Sequence, residues 1–184
     1  MLAKNQSDQK MISKIVVFSI TDASTKKKMD YGVDIEQVQE MGTLEDVTRV
    51  PGAPPHVRGV MNLRGKIITI VDMKKLFDIG SDPARASERI IVAQVGQSVI
   101  GLLVDDVDRV IEISASDIEP APAVLSETAP YIKGIVKLEG SLYVLLDLRL
   151  LLTNEGPVTA YVHTNDNGKS SDEVRSNQKV AEAR

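Results

Sequence analysis

The sequence predicts a mainly all-β protein that contains two five-stranded β-barrels related by internal pseudo-symmetry. The main observation is an internal repeat, in which Pro55–Phe77 aligns with Pro130–Leu152 over 23 residues without a gap. The repeat extends upstream, because Gly32–Val38 and Gly101–Val107 are similar in spacing. Short apolar runs bounded by Gly, Pro, Asp and Ser also recur along the chain, a pattern typical of barrels and sandwiches.

Ten segments have the length and composition of β-strands, and they form two sets of five. The first set is Lys14–Ile20, Tyr31–Ile35, Val47–Val50, Gly59–Leu63 and Lys66–Asp72. The second set is Arg89–Val95, Ser98–Val104, Arg109–Ile113, Gly134–Leu138 and Ser141–Asp147. Each set ends in a short apolar-periodic piece, MKKLF or LRLLL, which predicts one or two helical turns.

Composition along the chain predicts one folded domain with polar ends. We expect a flexible N-terminal segment over residues 1–13, the folded domain over 14–153, and a disordered tail over 154–184. The domain would hold two barrel subdomains, roughly 14–80 and 88–153, with exchange of strands between them left open. The tail contains no Leu, Ile, Phe or Met, which is too little apolar surface to form a core.

The bulk numbers exclude several classes of protein. The chain of 184 residues contains no cysteine, which excludes disulfides, thiol nucleophiles and cysteine-ligated metals. Aromatic residues make up only 3%, which argues against stacking platforms for single-stranded nucleic acid. The formal charge of -4 gives no general attraction to phosphate backbones. No secretory leader or membrane-length apolar run is present, so we expect a cytoplasmic protein without direct membrane insertion.

Reactive side chains are scarce, and we predict that the protein is not an enzyme. The two histidines are His56, which we expect at the surface of a loop, and His163 in the tail. The glycine spacing in Gly59–Lys66 departs from that of a phosphate-binding loop. Asp105 and Asp106 are adjacent on a predicted strand and would point to opposite faces. The sequence therefore predicts no catalytic residue, no cofactor and no metal site.

The hairpin tips of the two repeats differ in charge. Gly65 and Gly140 occupy turn positions that favour positive φ, so Arg64 in one repeat and Glu139 in the other would be exposed at the tips. The wider charge pattern also differs, with a net charge of +4 over residues 55–77 and of -5 over residues 105–119. This asymmetry would suit two different partners or head-to-tail assembly, although ordinary solvated faces would look the same.

Aspartates follow the last strand of each repeat. Asp72 precedes MKKLF and Asp147 precedes LRLLL. Because an aspartate carboxylate can accept hydrogen bonds from the first backbone amides of a helix, we expect both residues to cap the short helices that follow.

Three segments carry a resemblance to a known family. VPGAPPHVRGVMNLRGKIITIVDMKKLF, YGVDIEQVQEM and VIGLLVDDVDRVIEI resemble the chemotaxis coupling protein CheW, and the resemblance covers about Ile15 to Leu152. It implies two SH3-like barrels in a non-catalytic adaptor that couples chemoreceptor cytoplasmic tips to the histidine kinase CheA. Such a protein would be recruited to membrane-associated receptor arrays, would be a monomer when free and would bind no nucleic acid.

The resemblance also implies two binding sites. The receptor's helical tip would lie in the groove between the barrels, and the kinase's regulatory domain would dock on the first barrel. The implied receptor-binding residues are Val38, Glu40, Arg64, Val107 and Val110, and the implied kinase-binding residues are Arg58 and Gly59.

Simpler interpretations of these residues exist. The valines could belong to the core, as apolar strand residues usually do, and Glu40 could form a surface ion pair with Arg64. The alternative function is a small β-barrel that binds RNA or single-stranded DNA through the basic turn at Arg58–Lys66.

Overall fold

A computed structural model describes residues 12–80 and 89–153. The strands are β1 (Ile12–Thr21), β2 (Lys28–Asp34), β3 (Val38–Thr43), β4 (Val57–Leu63), β5 (Lys66–Asp72), β6 (Arg89–Val95), β7 (Ser98–Val104), β8 (Asp106–Ser114), β9 (Ile118–Glu119), β10 (Ile132–Leu138) and β11 (Ser141–Leu146). The α-helices are α1 (Met73–Leu76), α2 (Ala123–Thr128) and α3 (Leu148–Thr153), and 3-10 turns cover Ile35–Gln37 and Ala115–Asp117.

The strands form two sheets, and each sheet takes strands from both halves of the chain. The first barrel is the five-stranded sheet in the order β3-β6-β7-β5-β4, and the second barrel is the six-stranded sheet in the order β8-β1-β2-β11-β10-β9. Neighbouring strands are antiparallel except for β5 with β7 and β2 with β11, which are parallel. The prediction of a mainly all-β fold with two pseudo-symmetric units is confirmed.

Equivalent strands of the two barrels pair in the same register. The central pairs are Gly32 with Val17 and Leu145 in the second barrel, and Gly101 with Val92 and Ile70 in the first barrel. A Cβ on Gly32 would collide with Ile15, and a Cβ on Gly101 would collide with Ile90. The same close approach therefore requires glycine at the centre of both sheets.

The second barrel has one more strand than predicted. The extra strand, β9, has only two residues and pairs with β10. The first barrel has a single bridge between Thr48 and Val60 at the equivalent place. The predicted strand Val47–Val50 is therefore wrong, except for the one residue in this bridge.

Three apolar clusters hold the domain together. One cluster lies inside each barrel, and the third lies between the two sheets. The shared cluster includes a ladder of four stacked rings, whose centroids are 5.2–5.6 Å apart. The rings belong to Phe18, Tyr31, Phe77 and Tyr131. Because Phe18 and Tyr31 come from β1 and β2, while Tyr131 precedes β10, the ladder joins the two repeats.

The helix caps and hairpin turns agree with the sequence. The Asp72 carboxylate accepts a hydrogen bond from the Lys75 amide at 3.3 Å, and the Asp147 carboxylate accepts one from the Arg149 amide at 2.9 Å. Both helices are short, as MKKLF and LRLLL predicted. At the tips, Gly65 has φ 86° and Gly140 has φ 79°, so the positive φ values are confirmed.

Other expectations need correction. His56 is only 5% exposed, because its carbonyl accepts the Asp72 amide and fixes the residue against the end of β5. Strand β3 and helix α2 were not predicted, and Ile12 and Ser13 belong to β1 and not to a flexible segment. The tail over 154–184, His163 and residues 1–11 lie outside the described residues.

Candidate functional site

A groove lies where the edge strands of the two barrels meet. Within the described residues, β3 is the outermost strand of the first barrel and β8 is an outermost strand of the second. The groove has a volume of about 320 Å³ and is lined by Met41 and Gly42 of β3, Arg89 of β6 and residues 107–110 of β8. Edge strands present unpaired backbone groups, so this groove is a place where another chain can bind.

The two walls of the groove are equivalent by register. Glu40 pairs with Val92 of the first barrel, and Arg109 pairs with Val17 of the second. Each strand has a β-bulge beside this residue, at Gln39 or at Asp108. Glu40 and Arg109 therefore occupy the same position in the two barrels.

The next position along each strand carries an exposed apolar side chain. Met41 is 48% exposed and Val110 is 44% exposed, and both line the groove. Of the other predicted receptor-binding residues, Val107 lines the groove and Val38 does not, although both pack half-buried against the shared core. The structure thus brings Val107 and Val110 together at the groove.

Glu40 and Arg64 form the ion pair that the sequence suggested. The Arg64 Nη2 atom lies 2.6 Å from Glu40 Oε2, and their side chains are 83% and 28% exposed. Arg64 has φ 51° in a two-residue hairpin turn, where the Asn62 side chain accepts the Gly65 amide at 2.8 Å. The pair joins the edge strand β3 to the β4–β5 tip and so closes the first barrel. An exposed pair contributes roughly 0.2–1 kcal/mol to stability.

The second barrel repeats this arrangement with the charges exchanged. Glu139 occupies the tip with φ 51°, and Arg109 occupies the edge strand. The Arg109 guanidinium donates a hydrogen bond to the Tyr143 hydroxyl at 2.9 Å. That hydrogen bond is the main cause that raises the pKa of Arg109, and the carboxylates of Glu139 and Asp108 add to it. The acidic residue at this tip therefore has an arginine at the matching edge-strand position, as the basic residue at the other tip has a glutamate.

The two predicted kinase-binding residues lie at the other edge of the first barrel. Arg58 and Gly59 are on β4, which is the opposite edge strand from β3. Gly59 is buried, and a Cβ there would collide with the carbonyl oxygen of Thr48. Gly59 therefore allows the segment at Val47 and Thr48 to close against β4, and it offers a partner no side chain. Arg58 is half-buried.

The acidic run over residues 105–119 is largely compensated by neighbouring lysines. The ion pairs are Lys74–Asp105 at 2.8 Å, Lys28–Asp108 at 3.0 Å, Lys14–Glu112 at 3.2 Å and Lys137–Glu119 at 2.7 Å. The first pair also takes a lysine from the basic run over residues 55–77. The electrostatic difference between the two barrels is therefore smaller than the sequence suggests.

The described aromatic residues are in the interior. Phe18, Tyr31 and Tyr143 are buried, and Phe77 and Tyr131 are half-buried within the ring ladder. These rings do not form the exposed platform on which single-stranded nucleic acid stacks. The part of the chain that the structure describes contains no group of three or more His, Asp or Glu side chains arranged to hold a metal ion. None of the helices within 12–80 and 89–153 could cross a membrane.

Sequence reasoning missed five of the groove-lining residues, among them Met41 and Arg109. A signal for both was present, because the offset that aligns Gly32–Val38 with Gly101–Val107 also pairs Glu40 with Arg109 and Met41 with Val110 when it is extended by three residues. The extension was not obvious, because Glu and Arg differ in sign and the repeat looks broken there.

The sequence and the fold both match known proteins. A family model described as "CheW-like domain" matches residues 15–156. The chemotaxis protein CheW of Klebsiella aerogenes is 35% identical over 127 residues, which cover 68% of this chain and 76% of the relative. The chemotaxis protein CheW of Bacillus subtilis is 30% identical over 148 residues, which cover 80% of this chain and 91% of the relative.

A solved structure has the same fold. The crystal structure of the scaffolding protein TtCheW from Thermoanaerobacter tengcongensis superposes with a TM-score of 0.67 at 34% identity. The superposition covers 82% of this chain and 94% of that protein.

Proposed function

This chain belongs to the CheW family, and we propose that it couples the cytoplasmic tips of chemoreceptors to the histidine kinase CheA without catalysing a reaction itself. The family model, the curated relatives and the solved structure make it a scaffolding protein of chemotaxis. In this proposal the protein acts in the cytoplasm and is held at membrane-associated receptor arrays through its partners.

The receptor tip would bind in the groove between β3 and β8. The observation that carries this assignment is the pair of exposed apolar side chains, Met41 and Val110, at equivalent positions on two facing edge strands. An amphipathic helix can place its apolar face between such walls. Arg109 also lines the groove, and Glu40 precedes Met41 on β3 in its ion pair with Arg64, so these three residues would contact polar groups of the receptor at the rim.

The kinase's regulatory domain would bind at the opposite edge of the first barrel, where Arg58 is half-buried on β4. Neither Arg58 nor Gly59 lines the groove, so both partners could bind one molecule at the same time. Simultaneous binding is what a coupling protein needs, because linked weak contacts raise the effective concentration of each partner.

Two binding titrations test the proposal, one with a purified receptor tip fragment and one with the isolated regulatory domain of the kinase. Val110→Asp should weaken receptor binding at least about tenfold, since a carboxylate in the apolar wall must be desolvated. It should leave kinase binding unchanged. Arg58→Glu should show the reverse pattern.

Val124→Asp is the matched control. Val124 is 72% exposed on α2 and does not line the groove, so the same substitution there should alter neither titration. Equal losses with Val110→Asp and Val124→Asp would mean that an exposed carboxylate anywhere disturbs binding. A receptor fragment that binds Val110→Asp as well as the wild type would place the receptor site elsewhere.

A further inference from the structure

Arg89 lies on the face of β6 that borders the groove. Side chains two residues apart on a strand point to the same face of a sheet, so Arg89 shares a face with Ile91, which is buried in the shared cluster between the two sheets. Its cross-strand neighbour Thr43 shares a face with Met41 in the same way. Arg89 and Met41 both line the groove, and the exposed Arg89 side chain is therefore accessible to a partner that binds there.

The second barrel has an ion pair at the same two positions. Strand register makes Lys14 of β1 equivalent to Arg89, and Glu112 of β8 equivalent to Thr43. The Lys14 Nζ atom lies 3.2 Å from Glu112 Oε1. A threonine therefore stands in the first barrel where the second barrel has the carboxylate that compensates its cation.

Arg89 keeps most of its hydrogen-bonding capacity. A guanidinium has five N–H donors. The Arg89 Nη1 atom donates to the Thr43 hydroxyl at 3.4 Å, and Arg89 forms no ion pair with any residue in 12–80 or 89–153. The positive charge of Arg89 is thus left for a group outside the described chain.

The other charged residues that line the groove have partners within the chain. Asp108 lies 3.0 Å from the Lys28 ammonium, and Arg109 donates a hydrogen bond to the Tyr143 hydroxyl at 2.9 Å. Among the described residues that line the groove, Arg89 is therefore the charged one that is least engaged by its own fold.

We propose that Arg89 selects the receptor tip by binding a carboxylate on its helix, an inference that rests on the proposed function. The helix would place apolar side chains against Met41 and Val110 and a glutamate or aspartate beside Arg89. A guanidinium can hold a carboxylate through two parallel hydrogen bonds, which a threonine or an apolar wall cannot do. Arg89 would thus determine which helices bind in the groove.

Two substitutions remove this charge in different ways, and titration with a purified receptor tip fragment measures their effects. Arg89→Gln deletes the cation. Thr43→Glu supplies the carboxylate that the second barrel has in Glu112, so that Arg89 is compensated within the chain. Both variants should bind the fragment about tenfold more weakly, because each loses a hydrogen bond between charged groups at the interface.

Matched controls separate charge from shape. Thr43→Gln has the size of the glutamate variant without its charge. Arg49→Gln removes an exposed arginine that does not line the groove. Both controls should bind the fragment within about twofold of the wild type, since most contacts outside the central ones contribute little. Thermal melts of all variants verify that they fold, as expected for substitutions at exposed positions.

Substitutions in the fragment identify the carboxylate. Each of its aspartates and glutamates is replaced in turn by asparagine or glutamine. One replacement should weaken binding to the wild type about tenfold and weaken binding to Arg89→Gln less than about twofold, because the contact is already absent there. Failure of every replacement to show this coupling would contradict the proposal.

The outcomes separate this inference from the proposed function. Unchanged affinity in Arg89→Gln, together with a loss in Val110→Asp, would remove Arg89 from the site while the groove stands. Equal losses in Thr43→Gln and Thr43→Glu would show that shape and not charge matters at this wall. Unchanged affinity in both Arg89→Gln and Val110→Asp would place the receptor outside the groove, and this inference would fail with the proposed function.

Discussion

A basic residue occupies the same position at one end of each barrel, but it is buried in the first barrel and exposed in the second. Lys74, on α1 of the first barrel, is 7% exposed and lies 2.8 Å from Asp105, which is 20% exposed. The equivalent lysine position in the second barrel is Arg149, which is exposed at the rim of a cavity of about 330 Å³. Glu36, the equivalent of Asp105, lines the same cavity. One barrel end is closed by a buried ion pair, and a cavity lies at the equivalent end of the other.

This difference shows which residues of a duplicated unit have to remain the same in both copies. The residues that match between the repeats satisfy backbone requirements: the glycines at close approaches and tight turns, and the aspartates that cap α1 and α3. The charged side chains have changed sign, length or burial between the barrels. Backbone geometry therefore restricts which residues can occupy the glycine and capping positions. The charged side chains can differ between the barrels as long as each keeps a local partner.

The largest change in stability that tests this comparison is expected when Lys74 is replaced. Replacing it with methionine leaves the largely buried Asp105 carboxylate without its cation, which should lower the free energy of unfolding by about 3 kcal/mol. Arg149→Met, at the equivalent exposed position, should change it by less than about 1 kcal/mol, because interactions of exposed charges contribute little to stability. Urea denaturation of both variants measures the two free energies. Equal losses would show that the two ends are energetically alike despite their geometry.

A second prediction concerns Tyr31, whose equivalent in the first barrel is the buried Ile100. Burial raises the pKa of Tyr31 from 10.0 to about 12, with a smaller contribution from Tyr131. The unfolded chain then loses the proton first, so stability is complete below pH 10 and falls as pH rises toward 12. A shift of about two pKa units corresponds to a loss of roughly 2.7 kcal/mol.

The measurement is urea denaturation at several pH values between 8 and 12, with Tyr31→Phe as the comparison. The phenylalanine variant keeps the ring in the ladder and has no hydroxyl to ionise, so its loss of stability over this interval should be smaller by about the same amount. Parallel curves for the two proteins would show that another group causes the alkaline loss.

The smallest of the three effects distinguishes the two hairpin tips. Arg64→Glu should fold normally, with a change of about 0.5–1 kcal/mol, because the side chain is exposed and its ion pair is weak. Affinity for the receptor tip should fall at least about tenfold, or roughly 1.4 kcal/mol. Glu139→Arg should have a much smaller effect on the same titration. A receptor affinity that is unchanged in Arg64→Glu would exclude Arg64 from the site.

Local sequence patterns were sufficient for most strands. Strands β6 and β7 begin and end where the apolar runs do, because each run is continuous and bounded by turn residues. Strand β3 could not be predicted in this way, since VQEMGT contains a glycine and three polar residues. It is a strand because it pairs with β6, and a contact between distant segments leaves little trace in local composition.

The residues of the candidate site could be predicted from the sequence only in part. The ion pair of Glu40 and Arg64 was predicted, since both residues had to be exposed and opposite in charge. The role of Arg109 depends on knowing that β8 forms the other wall of the groove. The local pattern does not show which hairpin pairs with which half of the chain. The sequence therefore could not show that β8 lies across the groove from β3.

The exchange of strands has a consequence for how the chain reaches its fold. During synthesis, β1 and β2 emerge first, but their outer partners β8 and β11 follow about 87 to 113 residues later. Neither barrel can close until the second half of the chain exists, and pairing between distant segments is slow to form. The outer edges of the early hairpin therefore stay unpaired until the second half of the chain is made, and we expect the two halves to acquire stability together.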